Sequence, residues 1–156
     1  MSKLQSGYQI GLSWVPVHGG YLPAHAIDAG GHVYVARMLH AGENIPGKFV
    51  EGQSEAYCSH GGRAHGYSTF ELLCDTHAVN TSDYKWSKDK DGKVPKYAIA
   101  AGVTDTEEPL FIARIIVEGK TVVGKVHPSH GCAYFPVQGE EMSSKEYEVL
   151  VMKKRP

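Results

Sequence analysis

The sequence predicts an all-β protein made of two equivalent halves, and three observations carry that expectation. The first is self-similarity. Trp14, Gly20, Pro23, Ala26, Ile27, Ala29 and Gly30 return 72 positions later as Trp86, Gly92, Pro95, Ala98, Ile99, Ala101 and Gly102. The second half then carries five extra residues. From there Tyr34-Val35-Ala36-Arg37 matches Phe111-Ile112-Ala113-Arg114 at an offset of 77, which holds through Tyr147-Glu148-Val149-Leu150. A fixed period marks duplicated structural units. The second observation is punctuation: 18 glycines and eight prolines cut the chain into short segments, many rich in β-branched and aromatic residues. The third is the lack of long runs of strong helix formers. Leu22 to Ala29, the best helical candidate, is broken by Pro23 and stopped by Gly30.

Taken in order, the expected strands of the first half are Tyr8 to Trp14, Val33 to Leu39, Glu55 to Ser59, and Thr69 to Leu73. Ala78 to Trp86 opens the second half, followed by Leu110 to Val117, Thr121 to Val126, Ala133 to Val137 and Glu146 to Met152. Turn formers such as Ala41-Gly42-Glu43-Asn44, Asp91-Gly92 and Gln138-Gly139 bound them. The repeats are therefore placed at 8–74 and 78–152. A unit of roughly 70 residues buries only a small core, so two copies are expected to share one about a pseudo-two-fold axis. Tyr8 to Trp14 and Ala78 to Trp86 both run into the repeat's Trp, which is compatible with strands crossing between lobes.

Composition excludes several classes. The 156 residues are 42% hydrophobic and 21% charged, with a formal net charge of −1. No field of that size gathers nucleic acid or anionic lipid. Lys153-Lys154-Arg155 reads as a solvated end. No apolar run approaches the ~18 residues of a membrane span. The first residues lack the apolar core of a secretory signal, so a cytoplasmic location is expected, with export by an unconventional or vesicular route left open. Cys58, Cys74 and Cys132 are odd in number and do not repeat; Cys58 aligns with Phe135 and Cys74 with Val151. They read as apolar strand residues rather than as a disulfide framework.

No enzyme signature is present: no Gly-x-Ser-x-Gly, no phosphate-cradling glycine loop, no His-Glu-x-x-His. No cofactor is expected. His127-Pro128-Ser129-His130-Gly131-Cys132 raises the question of zinc. Its three candidates lie in one short stretch without a fourth ligand, and the first copy has Val50, Gln53 and Glu55 in their place. No metal is therefore expected, and His60, His65 and His77 read as surface residues. Arg37 and Arg114 occupy identical strand positions, as do Glu71 and Glu148, which predicts an Arg–carboxylate pair fixing register in each lobe. Trp14 and Trp86 read as core anchors rather than sugar platforms.

The motifs together resemble a known family. Trp, Gly-x-x-Pro, Ala-Gly, Tyr-Val-x-Arg, His40-x-Gly-Glu-x-Ile-Pro-Gly-Lys48, the segment His127 to Tyr134, and Tyr147-Glu-Val-Leu resemble the tandem DM-nine repeat proteins from Tyr8 to Met152. The resemblance implies interlocked all-β repeats that recognise mannose-type glycans on microbial surfaces without a metal, as a homodimer, in innate defence. It further implies that the Lys of Pro-Gly-Lys and an Asp in the loop after Ala-Gly hold the sugar. The Lys maps onto Lys48 and Lys125. The loop position is His32 in the first copy and Thr104 in the second, with Asp105 beside it. The acid five residues before Lys48 is Glu43, whose counterpart is Lys120. A carboxylate accepts two hydroxyls and an ammonium donates to vicinal oxygens, so a converging Lys and acid suffice for a shallow sugar site. Against this stands a plainer reading, in which Gly-Lys only opens a strand with a solvated side chain. The alternative function is an intracellular interaction or stress-response protein whose sugar site has decayed.

Overall fold

In β2 (Val33–His40) the side chains alternate between two interiors. Val33 and Val35 enter one buried cluster, whereas Tyr34, Ala36 and Met38 enter another. A strand covered on both faces reads as a continuous apolar run, which is why Val-Tyr-Val-Ala-Arg-Met-Leu lacks polar alternation. The computed structural model describes residues 11–76 and 84–153. Thirteen strands and one 3₁₀ turn, Pro128–His130, make up its regular structure. The first copy contributes β1 (Leu12–His18), β2, β3 (Glu43–Val50), β4 (Ala56–His60), β5 (Arg63–Tyr67) and β6 (Thr69–Asp75). The second contributes β7 (Tyr84–Lys90), β8 (Ala100–Val103), β9 (Pro109–Val117), β10 (Lys120–His127), β11 (Cys132–Val137), β12 (Glu140–Ser144) and β13 (Glu146–Met152). The protein is all-β, and Leu22 to Ala29 forms turns and isolated bridges instead of a helix.

Strand order makes the duplication spatial. The path β1-β6-β2-β3-β4-β5 meets β12-β11-β10-β9-β13-β7, the same order read backwards, and β5 touches β12 at the seam. Across that seam the hairpin turns bond reciprocally, with Ala64 donating to the Gly139 carbonyl and Glu141 to the Gly62 carbonyl. Short β8 pairs with β9 on one side and with β3 of the other copy at Asn44. The ring β3-β4-β5-β12-β11-β10-β9-β8 is thereby closed, which removes its free edges.

The expectation of strands crossing between lobes is met by a different element from the one the sequence indicated. β1 and β7 stay at home, each pairing with the last strand of its own copy, and β1 begins at Leu12 and runs past Trp14 to His18. β8 makes the crossing. Tyr8 to Ile10, His77 and the stretch 78–83 of the expected second opening strand lie outside the described residues.

Three interiors result. The central one joins Ile27, Val35 and Leu73 of the first copy to Ile99, Ile112, Val123 and Leu150 of the second. Each lobe keeps a satellite core, around Phe49 and Phe70 in the first and around Phe135 and Tyr147 in the second. Two arginines lace the lobes together. Arg37 Nε sits 2.6 Å from Glu71, its register partner, while its Nη1 donates to the Ala101 carbonyl of the other copy. Arg114 repeats both contacts, to Glu148 at 2.7 Å and to the Ala29 carbonyl. Trp14 and Trp86 lie partly buried against the central core, each with its arginine stacked on the ring at 4.2 and 4.4 Å. Cys58, Cys74 and Cys132 are buried and free.

Candidate functional site

The repeated Gly-Lys has a steric cause. A Cβ on Gly47 would stand 2.1 Å from the Tyr57 carbonyl oxygen, and one on Gly124 equally close to that of Tyr134. Only glycine lets the neighbouring strand pass so near. The lysine that follows is placed identically in both copies, yet the two environments differ sharply.

Lys125 is buried, its side chain only 4% exposed. Its Nζ donates to the Ser59 carbonyl at 2.7 Å, stands 3.5 Å from Glu141 Oε2, and lies 5.6 Å from the Tyr134 ring centre. Glu141 is fixed by the Gly62 backbone N–H at 2.9 Å. Lys125, Tyr134 and Glu141 line a pocket of about 440 Å³ together with Glu43, His60, Thr104, Asp105, Glu108, His127 and His130. The pocket draws on both copies: β3 and β4 supply Glu43 and His60, and β10 to β12 supply Lys125, Tyr134 and Glu141.

The five extra residues of the second copy form one wall. Thr104 is buried and organises this loop, its Oγ1 accepting from the backbone of Thr106 and Glu108. The Thr104 oxygen therefore organises the loop that walls the pocket. Asp105 is exposed on the rim, and its backbone N–H donates to Glu43 Oε2 at 3.2 Å. Glu108 accepts from the Ser129 hydroxyl and backbone at 2.7 Å and contacts His127 Nε2 at 3.0 Å. Burial pushes the Glu108 carboxyl up, but the Ser129 and His127 contacts outweigh it and hold the acid below its ordinary value. Burial, reinforced by His130, holds the His127 imidazole below its ordinary value against the pull of Glu108. The rings of His127 and His130 stack at 3.6 Å, and His130 Nδ1 reaches the Tyr134 hydroxyl at 2.9 Å.

The first-copy pocket, about 370 Å³, is the pseudo-symmetric counterpart with its polar partners removed. It is lined by Lys48, Val50, Gln53, Tyr57, Ala64, Pro136, Gln138 and Gly139. Val50 replaces His127, Gln53 replaces His130, and Ala64 replaces Glu141. Among the described residues no carboxylate lines it. Burial and then the neighbouring charge of Lys120 lower the Lys48 pKa. The acid five residues before the Lys thus acts across the molecule: Glu43 lines the pocket of Lys125, and Lys120 burdens Lys48. Five strand residues span roughly 16 Å, so Glu43 was never within reach of its own copy's lysine.

The structure therefore brings Lys125, Asp105, Glu43 and Thr104 together and leaves Lys48 and His32 apart. His32 is 74% exposed, with Nδ1 3.2 Å from Glu51 and 3.8 Å from Asp28. Its loop is held by Asp28, which accepts from the N–H groups of Gly30 and His32, and contributes nothing to the Lys48 pocket. Sequence reasoning missed Glu141, Glu108 and Tyr134. It also read His60 and His65 as surface residues, whereas both pack against His40. A larger concavity of about 750 Å³, lined by Lys88, Arg114, Ile116 and Glu148, lies over the second register-fixing ion pair and contains none of the expected sugar residues.

A duplicated, interlocked β-fold with a charged pocket between its copies is the class that these observations define. The chain belongs to the DM9 repeat family, which matches residues 28–144 and so takes in both copies. It is similar to Natterin-3 of Thalassophryne nattereri, 30% identical over 93 residues, which are 56% of this chain and 23% of that protein. Among solved structures it is similar to the nematode sperm cell motility protein MFP2B, with a TM-score of 0.64 over 94% of this chain and 46% of that one. At 15% identity this second likeness is one of fold alone. The chain spans under a quarter of Natterin-3 and under half of MFP2B.

Proposed function

We propose that this chain is a carbohydrate-binding protein of mannose-type specificity that recognises microbial glycans in defence, using the Lys125 pocket and no metal. One observation carries the reading: a buried ammonium with carboxylates around it at the wall of an open pocket. An ammonium has three donors. The Ser59 carbonyl takes one and Glu141 pairs with the charge at 3.5 Å, which leaves donor capacity for a ligand oxygen. Asp105 on the rim makes no side-chain hydrogen bond among the described residues, so its carboxylate is available to accept two adjacent hydroxyls. Membership of the DM9 repeat family supports the same reading.

The asymmetry between the pockets favours one working site per chain. Weak single sites gain avidity when several sit on one particle, so a homodimer displaying two Lys125 pockets toward a polyvalent surface fits this use. The test is a glycan array followed by calorimetry with methyl α-mannoside, with and without EDTA. Millimolar binding that survives EDTA, falls at least tenfold in Asp105→Asn and Lys125→Ala, and persists in Lys48→Ala is the expected result. No binding to any glycan, or equal binding by Asp105→Asn and the native chain, overturns it. The alternative, an intracellular interaction protein with a decayed site, draws on the first-copy pocket, where Val50, Gln53 and Ala64 stand in place of His127, His130 and Glu141. It would be favoured by a sugar-independent partner whose capture neither lysine substitution affects.

A further inference from the structure

We propose that His40, His60 and His65 form a binding site for a borderline transition-metal cation of the zinc class. The three residues come from three strands: His40 and His60 end β2 and β4, and His65 sits in the middle of β5, which pairs with β4. One ring nitrogen from each lies within 4.8 Å of the other two. His40 and His65 stack at 3.8 Å, and His60 stands edge-on to His40 at 5.1 Å. Zinc–nitrogen bonds of about 2.0–2.1 Å draw tetrahedral ligand atoms to within about 3.4 Å of one another. Binding therefore requires the rings to draw closer together than they stand here.

Three details go beyond proximity. First, two of the rings are oriented from behind. His65 Nε2 stands 3.0 Å from the His60 carbonyl, to which it can only donate, so its Nδ1 carries the lone pair. His40 Nδ1 is anchored to the Tyr67 hydroxyl at 2.6 Å, which fixes the ring and leaves Nε2 as its remaining ligand atom. Such outer partners fix the tautomer and aim of metal-bound imidazoles. Second, all three histidines are partly buried, so the packing around them limits how far each ring can swing. Third, the repeat supplies an internal comparison. At the offset of 77, the second copy has Val117, Val137 and Met142 at these three positions. The fold accepts apolar residues there, so the imidazoles are an addition that the architecture does not require.

An all-imidazole set selects zinc, copper, cobalt or nickel over calcium or magnesium, which prefer oxygen. Three protein ligands leave a coordination position open. Glu43 Oε1, 3.8 Å from His60 Nε2, is the carboxylate at hand to orient that ring or enter the shell. His60 and Glu43 also line the Lys125 pocket, so a bound cation would stiffen one wall of it without replacing the ammonium. The inference stands on the histidine geometry and is independent of the sugar reading.

The experiment titrates the chain, freed of any histidine tag, with Zn²⁺ by calorimetry and with Co²⁺ by visible absorption, and follows imidazole ¹⁵N shifts in the native protein. One cation per chain at micromolar affinity is expected, with shifts at His40, His60 and His65. His60→Gln and His65→Gln should each weaken binding at least tenfold, with circular dichroism confirming that they fold. The pair His127→Gln and His130→Gln should leave affinity unchanged. Absence of binding at about a hundred times the expected dissociation constant, shifts confined to His127 and His130, or undiminished affinity in both single variants would each overturn the proposal. The native-chain shifts decide the matter even if a variant fails to fold. Sugar binding that persists in EDTA while zinc binding fails would sink this site alone.

Discussion

Two lysines in the same strand position show how far the surroundings decide a residue's role. Lys125 meets a carbonyl, a carboxylate and an aromatic face; Lys48 feels Lys120 and, among the described residues, no acid. The sequence made the two lysines legible but not their difference, because the partners that separate them come from the other copy. The register-fixing arginines were legible, since Arg37 and Glu71 recur together and sit opposite each other on paired strands. Arg37→Ala removes the Glu71 contact, the Ala101 hydrogen bond and the stacking on Trp14. It should cost about 1–3 kcal/mol, lowering the melting temperature by several degrees; an unchanged value contradicts this role. Titration belongs to the same scale. His40 and His127 both lie below the ordinary 6.5, chiefly through burial. The unfolded chain then binds protons that the folded one refuses. Stability is full above about pH 6.5 and is lost as pH falls below it. Melting temperatures measured from pH 7.5 to 5 should fall, and fall less steeply in His127→Gln. A curve no shallower than that of the native chain would exclude His127 as a contributor.

At the scale of elements, the turn-bounded strands of the second copy were read closely, whereas β3 of the first was missed. Its counterpart Thr121 to Val126 was visible; Pro46 concealed β3. The proline is tolerated because of where it falls. Opposite Arg37 it has no N–H to offer, so that pair must be a non-hydrogen-bonded one. The missing donor then points to the other edge, in the gap between the pairing with β8 at Asn44 and with β4 at Lys48. β8, β5 and β12 were missed because they carry glycine, histidine and charged residues in place of apolar alternation. What orders β8 is its neighbours on both sides. Packing around Gly124 makes a sharp prediction at this scale. Gly124→Ala forces β10 and β11 apart, costing about 1–3 kcal/mol and displacing Lys125. Thermal melts and mannose calorimetry should both register it. A variant with native stability and native binding would show that the close approach is not needed.

For the whole molecule, duplication was the most legible feature and interlocking the least. Self-similarity announces two units; it cannot say that a short strand, two arginines and a central core tie them into one. That core mixes side chains of both copies, so neither lobe closes its interior alone. Unfolding should be a single cooperative event. Trp14 and Trp86 place one reporter in each copy, so Trp14→Phe and Trp86→Phe let each lobe be followed separately. Within each variant the fluorescence midpoint in urea should coincide with that of circular dichroism. Midpoints that separate would mean lobes that melt independently.

The charged pocket is a property of the whole molecule too, since Glu43 and His60 come from one copy and Lys125, Asp105 and Glu141 from the other. The most direct measurement is a map of backbone and side-chain shifts in the ¹⁵N-labelled chain as methyl α-mannoside is added. Perturbations gathered on Glu43, Asp105, Lys125 and Glu141, with Lys48 and Gln53 silent, are the predicted result. Perturbations centred on Lys48, or none at saturating sugar, would contradict a carbohydrate site built between the two copies.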